Sequence, residues 1–196
     1  MIVGLGNPGR EYEGTRHNVG ADWINLLAKK YNFELKENTK FKGLVAKTVI
    51  EEVECVLLAP TTFMNLSGQS VRLVADYFKV PLDRMLVAYD EMAFEPGVAR
   101  LKFGGGANGH NGLKSLFNSF DNQKKFFRLR IGVGHPGKPQ MVTSYLTRQK
   151  IPSREQLKLD SCLDFQPSLL QEIMSGDLEK AMTSLHVKKV VDGEGL

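Results

Sequence analysis

The chain has little from which to build a covalent or metal framework. Its 196 residues include two cysteines, Cys55 and Cys162, far apart and with no His or Cys at ligand spacing beside either. That scarcity argues against a disulfide scaffold or a zinc site and fits a reducing cytosol. Long apolar runs are missing too, and nothing approaches the roughly 20 residues that a membrane span needs. The chain does not open on a charged segment followed by an apolar one, so no signal peptide is expected. Repeats and dividing linkers are also absent. One domain over 1–188 is the expectation, long enough to bury a full core. The closing VVDGEGL carries no periodic pattern, so 189–196 are expected to be a disordered or non-native tail.

Acidic residues are scarce in one region. Between Gly97 and Lys150, ten Lys/Arg are accompanied by a single acid, Asp121. The overall charge of +4 therefore divides into +9 for this block and −5 for the rest. A solvated basic face is the plain explanation. Yet Arg100, Arg128 and Arg130 sit in strand-like runs, where alternate side chains share a face. The block also holds the glycine-rich GGGANGHNG. Together these point to a polyanionic partner.

The apolar runs MIVGL, FKGLVAKTVI, ECVLLA, MLVAYD, VARLKF and FRLRIGVG read as strands. Val19, Trp23, Ile24, Leu26, Leu27 and Tyr31 recur at helical spacing and predict a helix over 19–31, with Asn18 as its cap. A second helix is predicted over 70–79, and a third beyond the glycine loop, capped by Asn111. Ser153-x-x-Gln156 has the form of a capping box. Short helices follow, one ending near Gly176 and one starting at Asp177. Strands interleaved with helices predict a single three-layer α/β domain: a mixed, mainly parallel twisted sheet with helices on both faces.

GLGNPG at Gly4–Gly9 matches the dinucleotide pattern G-x-G-x-x-G. That fingerprint needs a helix to begin at its last glycine, so that the helix N-terminus meets a pyrophosphate. Here REYEGTRHN intervenes, and Pro8 removes a backbone donor. A nucleotide-dependent enzyme is therefore disfavoured. The turn instead presents Asn7 at the C-terminal end of a strand, where open α/β sheets bind ligands. Asn65, Asp90, Asn111 with His110, and His17 fall at comparable places. Singly, each has a dull explanation as a cap, an ion-pair partner or a surface residue. Converging on one rim, they form a base–orienter pair, His17 and Asp90, flanked by amides. The positive helix end near His17 is expected to keep it neutral. No G-x-S-x-G is present and neither Cys has an adjacent base, so the base would act on water, which suits an activated ester.

Five motifs in order carry a resemblance: VGLGNPGREYEGTRHNVG, PTTFMNLSG, Asp90-Glu91, GGGANGHNGLKS and FRLRIGVGHPG. From Met1 to about Lys188 the chain resembles the bacterial-type peptidyl-tRNA hydrolases. The resemblance implies a cytoplasmic, monomeric enzyme that cleaves the ester between a peptide and the terminal ribose of tRNA. It implies no metal, no cofactor and no membrane association. His17 falls on the family's catalytic base and Asp90 on its orienting partner. Asn7, Asn65 and Asn111 fall on amides that hold substrate and water. Tyr12, Met64 and His110 fall on positions lining the same crevice, and Lys102 and Arg130 on tRNA contacts. Where the family loop often reads GGGHGGHNG, this chain has Ala107 and Asn108, a departure that bears on loop gating. The alternative is a non-catalytic RNA-binding relative of the same fold, which would lack the base or the amides.

Overall fold

The computed structural model describes residues 1–187. The apolar runs become strands: β1 (Ile2–Gly4), β3 (Gly43–Ile50), β4 (Val53–Pro60), β5 (Leu86–Glu91), β6 (Ala99–Phe103) and β7 (Phe127–Gly132), joined by the short polar β2 (Lys36–Asn38). The helices are α1 (Val19–Lys30), α2 (Ser67–Phe78), α3 (Asn111–Ser119), α4 (Val142–Thr147), α5 (Ser153–Leu163), α6 (Pro167–Ser175) and α7 (Leu178–Val187). The strands form one sheet in the order β2-β3-β4-β1-β5-β7-β6. Its centre is parallel, β1 pairing with β4 and β5, and β5 with β7. Its edges are antiparallel, through β2–β3, β3–β4 and β6–β7. Among the described residues, parallel and antiparallel pairings are thus equal in number.

Side-chain alternation splits the core in two. On one face Ile2, Leu57, Leu86, Ala88, Leu129 and Ile131 meet α1 and α5–α7, with Trp23 and Ile24 fully buried. On the other, Val3, Leu5, Leu58, Val87 and Tyr89 meet α2 and α3 through Val71, Val74, Leu113 and Leu116. Among the described residues, no helix is long and apolar enough to cross a membrane.

Helix α1 lies directly on β1 and β5, and glycine makes this contact possible. A Cβ on Gly20 would stand 2.3 Å from the Ala88 carbonyl oxygen and 2.7 Å from the Leu5 nitrogen. A Cβ on Gly4 would stand 2.2 Å from the Gly20 carbonyl oxygen. The first glycine of GLGNPG therefore serves helix-on-sheet packing rather than a phosphate.

Several boundaries differ from expectation. Helix α2 starts at Ser67, three residues early. The capping box at Ser153 does not form. Pro152 occupies the cap position without a side-chain bond, and Gln156 Nε2 instead donates to Asp160 Oδ1 at 2.8 Å. Helix α6 ends as expected, at Gly176 in the left-handed region (φ 84°). β2 and α4 were not anticipated: one is short and polar, and the other follows a proline-rich loop. The tail expected over 189–196 lies outside the described residues.

Gly20→Ala is expected to destabilise the fold at or above the upper end of about 1–3 kcal/mol, because both obstructing atoms are backbone. Urea denaturation with unchanged m-value but a lower midpoint is the expected result.

Candidate active site

The polar stretch between β1 and α1 folds as two turns of 3-10 helix, Arg10–Tyr12 and Arg16–Asn18. Asn18 does not cap α1 with its side chain. Its Oδ1 accepts from the Asn7 backbone N–H at 2.8 Å, and its Nδ2 donates to the Asn7 carbonyl at 3.0 Å. The turn after β1 has no strand partner there, so this clamp satisfies both of its backbone groups. Asn7 in turn accepts the Met64 N–H on its Oδ1 at 2.8 Å. Asn7 thereby ties the turn after β1 to the 3-10 turn after β4, Met64–Leu66. The Asn7 Nδ2 donors have no partner among the described residues.

Asp90, at the end of β5, is buried and receives two imidazoles on one oxygen. His17 Nδ1 lies 2.8 Å and His110 Nε2 3.0 Å from its Oδ1. The tautomers follow from the surroundings. His110, not Asn111, caps α3: its Nδ1 accepts the Gly112 and Leu113 N–H groups at 3.1 and 3.3 Å. A nitrogen that accepts two hydrogen bonds carries no proton, so in neutral His110 the proton is on Nε2 and is donated to Asp90. His17 likewise donates Nδ1–H to the carboxylate, which leaves its Nε2 lone pair without a partner among the described residues.

Burial alone lowers the basicity of His17, but the charge of Asp90 and its hydrogen bond raise it more, so the net shift is upward from 6.5. This is opposite to the depression expected from the helix end. Burial pushes Asp90 up, yet the two histidines facing it prevail and hold its carboxyl well below the usual carboxylate range. The donor atoms of His17, Asp90 and His110 lie within 4.8 Å of one another. On paper that is a metal donor set. His110 does not suit the role, because ligation through Nε2 would force its proton onto Nδ1 and break both cap bonds.

These groups line a crevice of about 280 Å³ with Tyr89, Glu91, Met92, Asn108 and Asn111. Its far wall is α4, through Val142, Thr143, Leu146 and Thr147. Tyr12 and Asn7 line an adjoining groove that shares Thr143 and Thr147. Tyr12 also meets Phe63 edge-on, with ring centroids 6.3 Å apart. The structure thus brings His17, Asp90, His110 and Asn111 together, with Asn7 and Tyr12 alongside. Met64 is buried behind them. Asn65 is exposed on its turn and lines neither cavity.

A family model described as peptidyl-tRNA hydrolase matches residues 1–192. The chain belongs to the peptidyl-tRNA hydrolase family. It is 48% identical over 186 residues to the peptidyl-tRNA hydrolase of Pseudoalteromonas translucida, covering 95% of each chain. It is 46% identical over 189 residues to that of Azotobacter vinelandii, covering 96% of this chain and 97% of the relative. The crystal structure of the Acinetobacter baumannii peptidyl-tRNA hydrolase superposes with a TM-score of 0.88 at 42% identity, covering 94% of this chain and 92% of that one.

Within this member of the family the basic residues are unequal. Arg100 and Lys102 on β6 stand opposite Arg130 and Arg128 on β7. Lys102 is exposed. Arg130 is drawn to Glu91, with Nε and Nη2 each 3.0 Å from Oε2, and lies over the Phe94 ring at 4.5 Å. Arg128 is buried and spent within the fold, donating to the Gly106 and Gly105 carbonyls at 2.6 and 2.5 Å. It therefore holds the glycine loop rather than contributing to an outward basic face. Sequence reasoning missed Glu91 as a partner, Arg128 as a clamp and α4 as a wall. Val142, Tyr145 and Leu146, at helical spacing after Pro139, were the available signal for α4.

The His17 shift predicts a pH profile. With His17 as a general base, only its neutral form would act, so kcat/KM is expected to rise with pH through a value above 6.5. Asp90→Asn removes the charge that raises His17, so the acid limb is expected to move to lower pH while kcat falls. An unmoved limb would break the coupling.

Proposed function

We propose that this chain hydrolyses the ester joining a peptide to the terminal ribose of tRNA. Family membership supports the reading, and one observation carries it: His17 offers an unshared Nε2 to the crevice while Asp90 holds its Nδ1–H. In this reading His17 takes a proton from water as the water attacks the ester carbonyl. Asp90 stabilises the imidazolium that forms. The ribose oxygen leaves with that proton as the tetrahedral intermediate collapses. Water is the nucleophile; the Cys55 thiol is pushed up to about 11 by burial and lies outside the crevice.

Asn7 and Asn111 supply amides for the peptide main chain, the water and the developing oxyanion, and Asn65, exposed outside both cavities, meets only substrate that extends beyond the crevice. One positioned oxyanion donor is worth about 10²–10³-fold in rate. Amides pair with a main chain without reading its side chains, so peptides of varied sequence fit. Tyr12, Met64 and His110 shape the crevice around them. Lys102 meets tRNA phosphate, and Arg130 does so in competition with Glu91. The reading is of a monomer in the cytoplasm that needs neither metal nor cofactor.

The test is release of free tRNA from N-blocked aminoacyl-tRNA, with free aminoacyl-tRNA as control. His17→Ala is expected to keep the fold and lose about 10²–10⁴-fold in kcat. Hydrolysis at the wild-type rate by that variant would refute the base assignment. Lys102→Ala is expected to raise KM and flatten its salt dependence, because a lost phosphate contact releases fewer counterions. An equal loss on an acyl ester lacking the tRNA body would count against a phosphate role.

A further inference from the structure

Arg16 immediately precedes His17 and is 4% exposed. Its Nη2 donates to Glu155 Oε2 at 2.6 Å, and its guanidinium carbon lies 3.9 Å from the Tyr145 ring centroid. Nε and Nη1 are buried with no hydrogen-bond partner among the described residues. Tyr145 is itself fixed, its O–H donating to the Val133 carbonyl at 2.6 Å. Around this stack the two segments are laced together. Thr15 bridges to Lys150, the Ile151 N–H donates to the Gly14 carbonyl at 2.8 Å, and Lys150 Nζ donates to the Glu11 and Glu13 carbonyls.

A buried guanidinium with two unmet nitrogens is a poor device for stability alone. Buried ion pairs contribute little net against an apolar replacement of similar volume. Its location suggests another purpose. Tyr145 belongs to α4, which forms the crevice wall facing His17, and Glu155 belongs to α5. Arg16 does not line that crevice.

We propose that Arg16 is a positioning residue for His17. It pins the Arg16–Asn18 turn against α4 and α5, so that Nε2 of His17 keeps a fixed distance from the wall built by Val142, Thr143, Leu146 and Thr147. Asp90 restrains the imidazole, Asn7 restrains the turn from its Asn18 side, and Arg16 supplies the restraint from the other side. The inference rests on His17 being the base.

Arg16→Lys keeps the charge and loses the planar stack. It is expected to lower kcat about 10- to 100-fold, as displacements of about 1 Å do, with KM within about twofold. In a His17→Ala background, measured with enzyme in excess over N-blocked aminoacyl-tRNA, Arg16→Lys is expected to cause no further loss. A purely structural role would lower the rate in both backgrounds, and that result overturns the proposal. Glu155→Gln gives the same test at a half-exposed partner should Arg16→Lys fail to fold: a kcat loss confined to the His17 background supports the proposal, and none refutes it. A wild type inactive on this substrate would overturn the functional reading and this inference together. An active wild type with unaffected Arg16→Lys and Glu155→Gln variants overturns this inference alone.

Discussion

His110 Nδ1 accepts the N–H groups of Gly112 and Leu113, and so gives up the option of carrying a proton there in the neutral ring. The chemistry of the crevice descends from that cap. With Nδ1 occupied, His110 donates through Nε2, and Asp90 stays a charged acceptor even in full burial. A charged Asp90 orders the second imidazole, and the second imidazole is then left with one free lone pair. Helix capping is ordinarily counted as stability, about 1 kcal/mol. Here the same bonds also determine which nitrogen of a neighbouring histidine is basic.

The site stands at the carboxyl edge of the parallel strands β4, β1 and β5, where the chain must leave the sheet three times. Each exit is tied to another: the β1 turn to the β4 turn through Asn7, the start of α1 to the β1 turn through Asn18, and the end of β5 to both histidines through Asp90. Glycines bring α1 onto the sheet, and this close approach carries the His17 turn to Asp90. A larger residue at Gly20 would lift the helix and the His17 turn together.

Much of this was legible in the sequence. Long apolar runs gave the central strands, because buried parallel strands read as continuous apolar segments. The convergence of His17, Asp90, Asn7 and Asn111 on one rim follows from their places after strands. What the sequence concealed were choices among polar groups. Asn18 looked like a cap because Asn before a helix usually is one; a better use of its amide appears only when the Asn7 turn folds beside it. Asn111 and His110 competed for one capping position, and the imidazole prevailed. Arg128 and Arg130 look alike in FRLRIG, yet one is buried under the glycine loop and the other shares itself with Glu91. Asn65 reached the expected turn but not the crevice wall. Short polar elements such as β2 have no periodicity to betray them.

β6 is an edge strand, and its outer row of N–H and C=O groups has no strand partner among the described residues, which leaves it a template for pairing with an extended chain. Arg100 and Lys102 project from it, with Arg130 beside them on β7. A second copy approaching edge to edge would bring its own cations against these. The other edge, β2, is three residues long and reads Lys36-Glu37-Asn38. The residues on β6 that suit a polyanion thus also discourage sheet extension, so neutralising them risks self-association. Any change in polyanion binding by such variants is informative only beside a measurement of their aggregation.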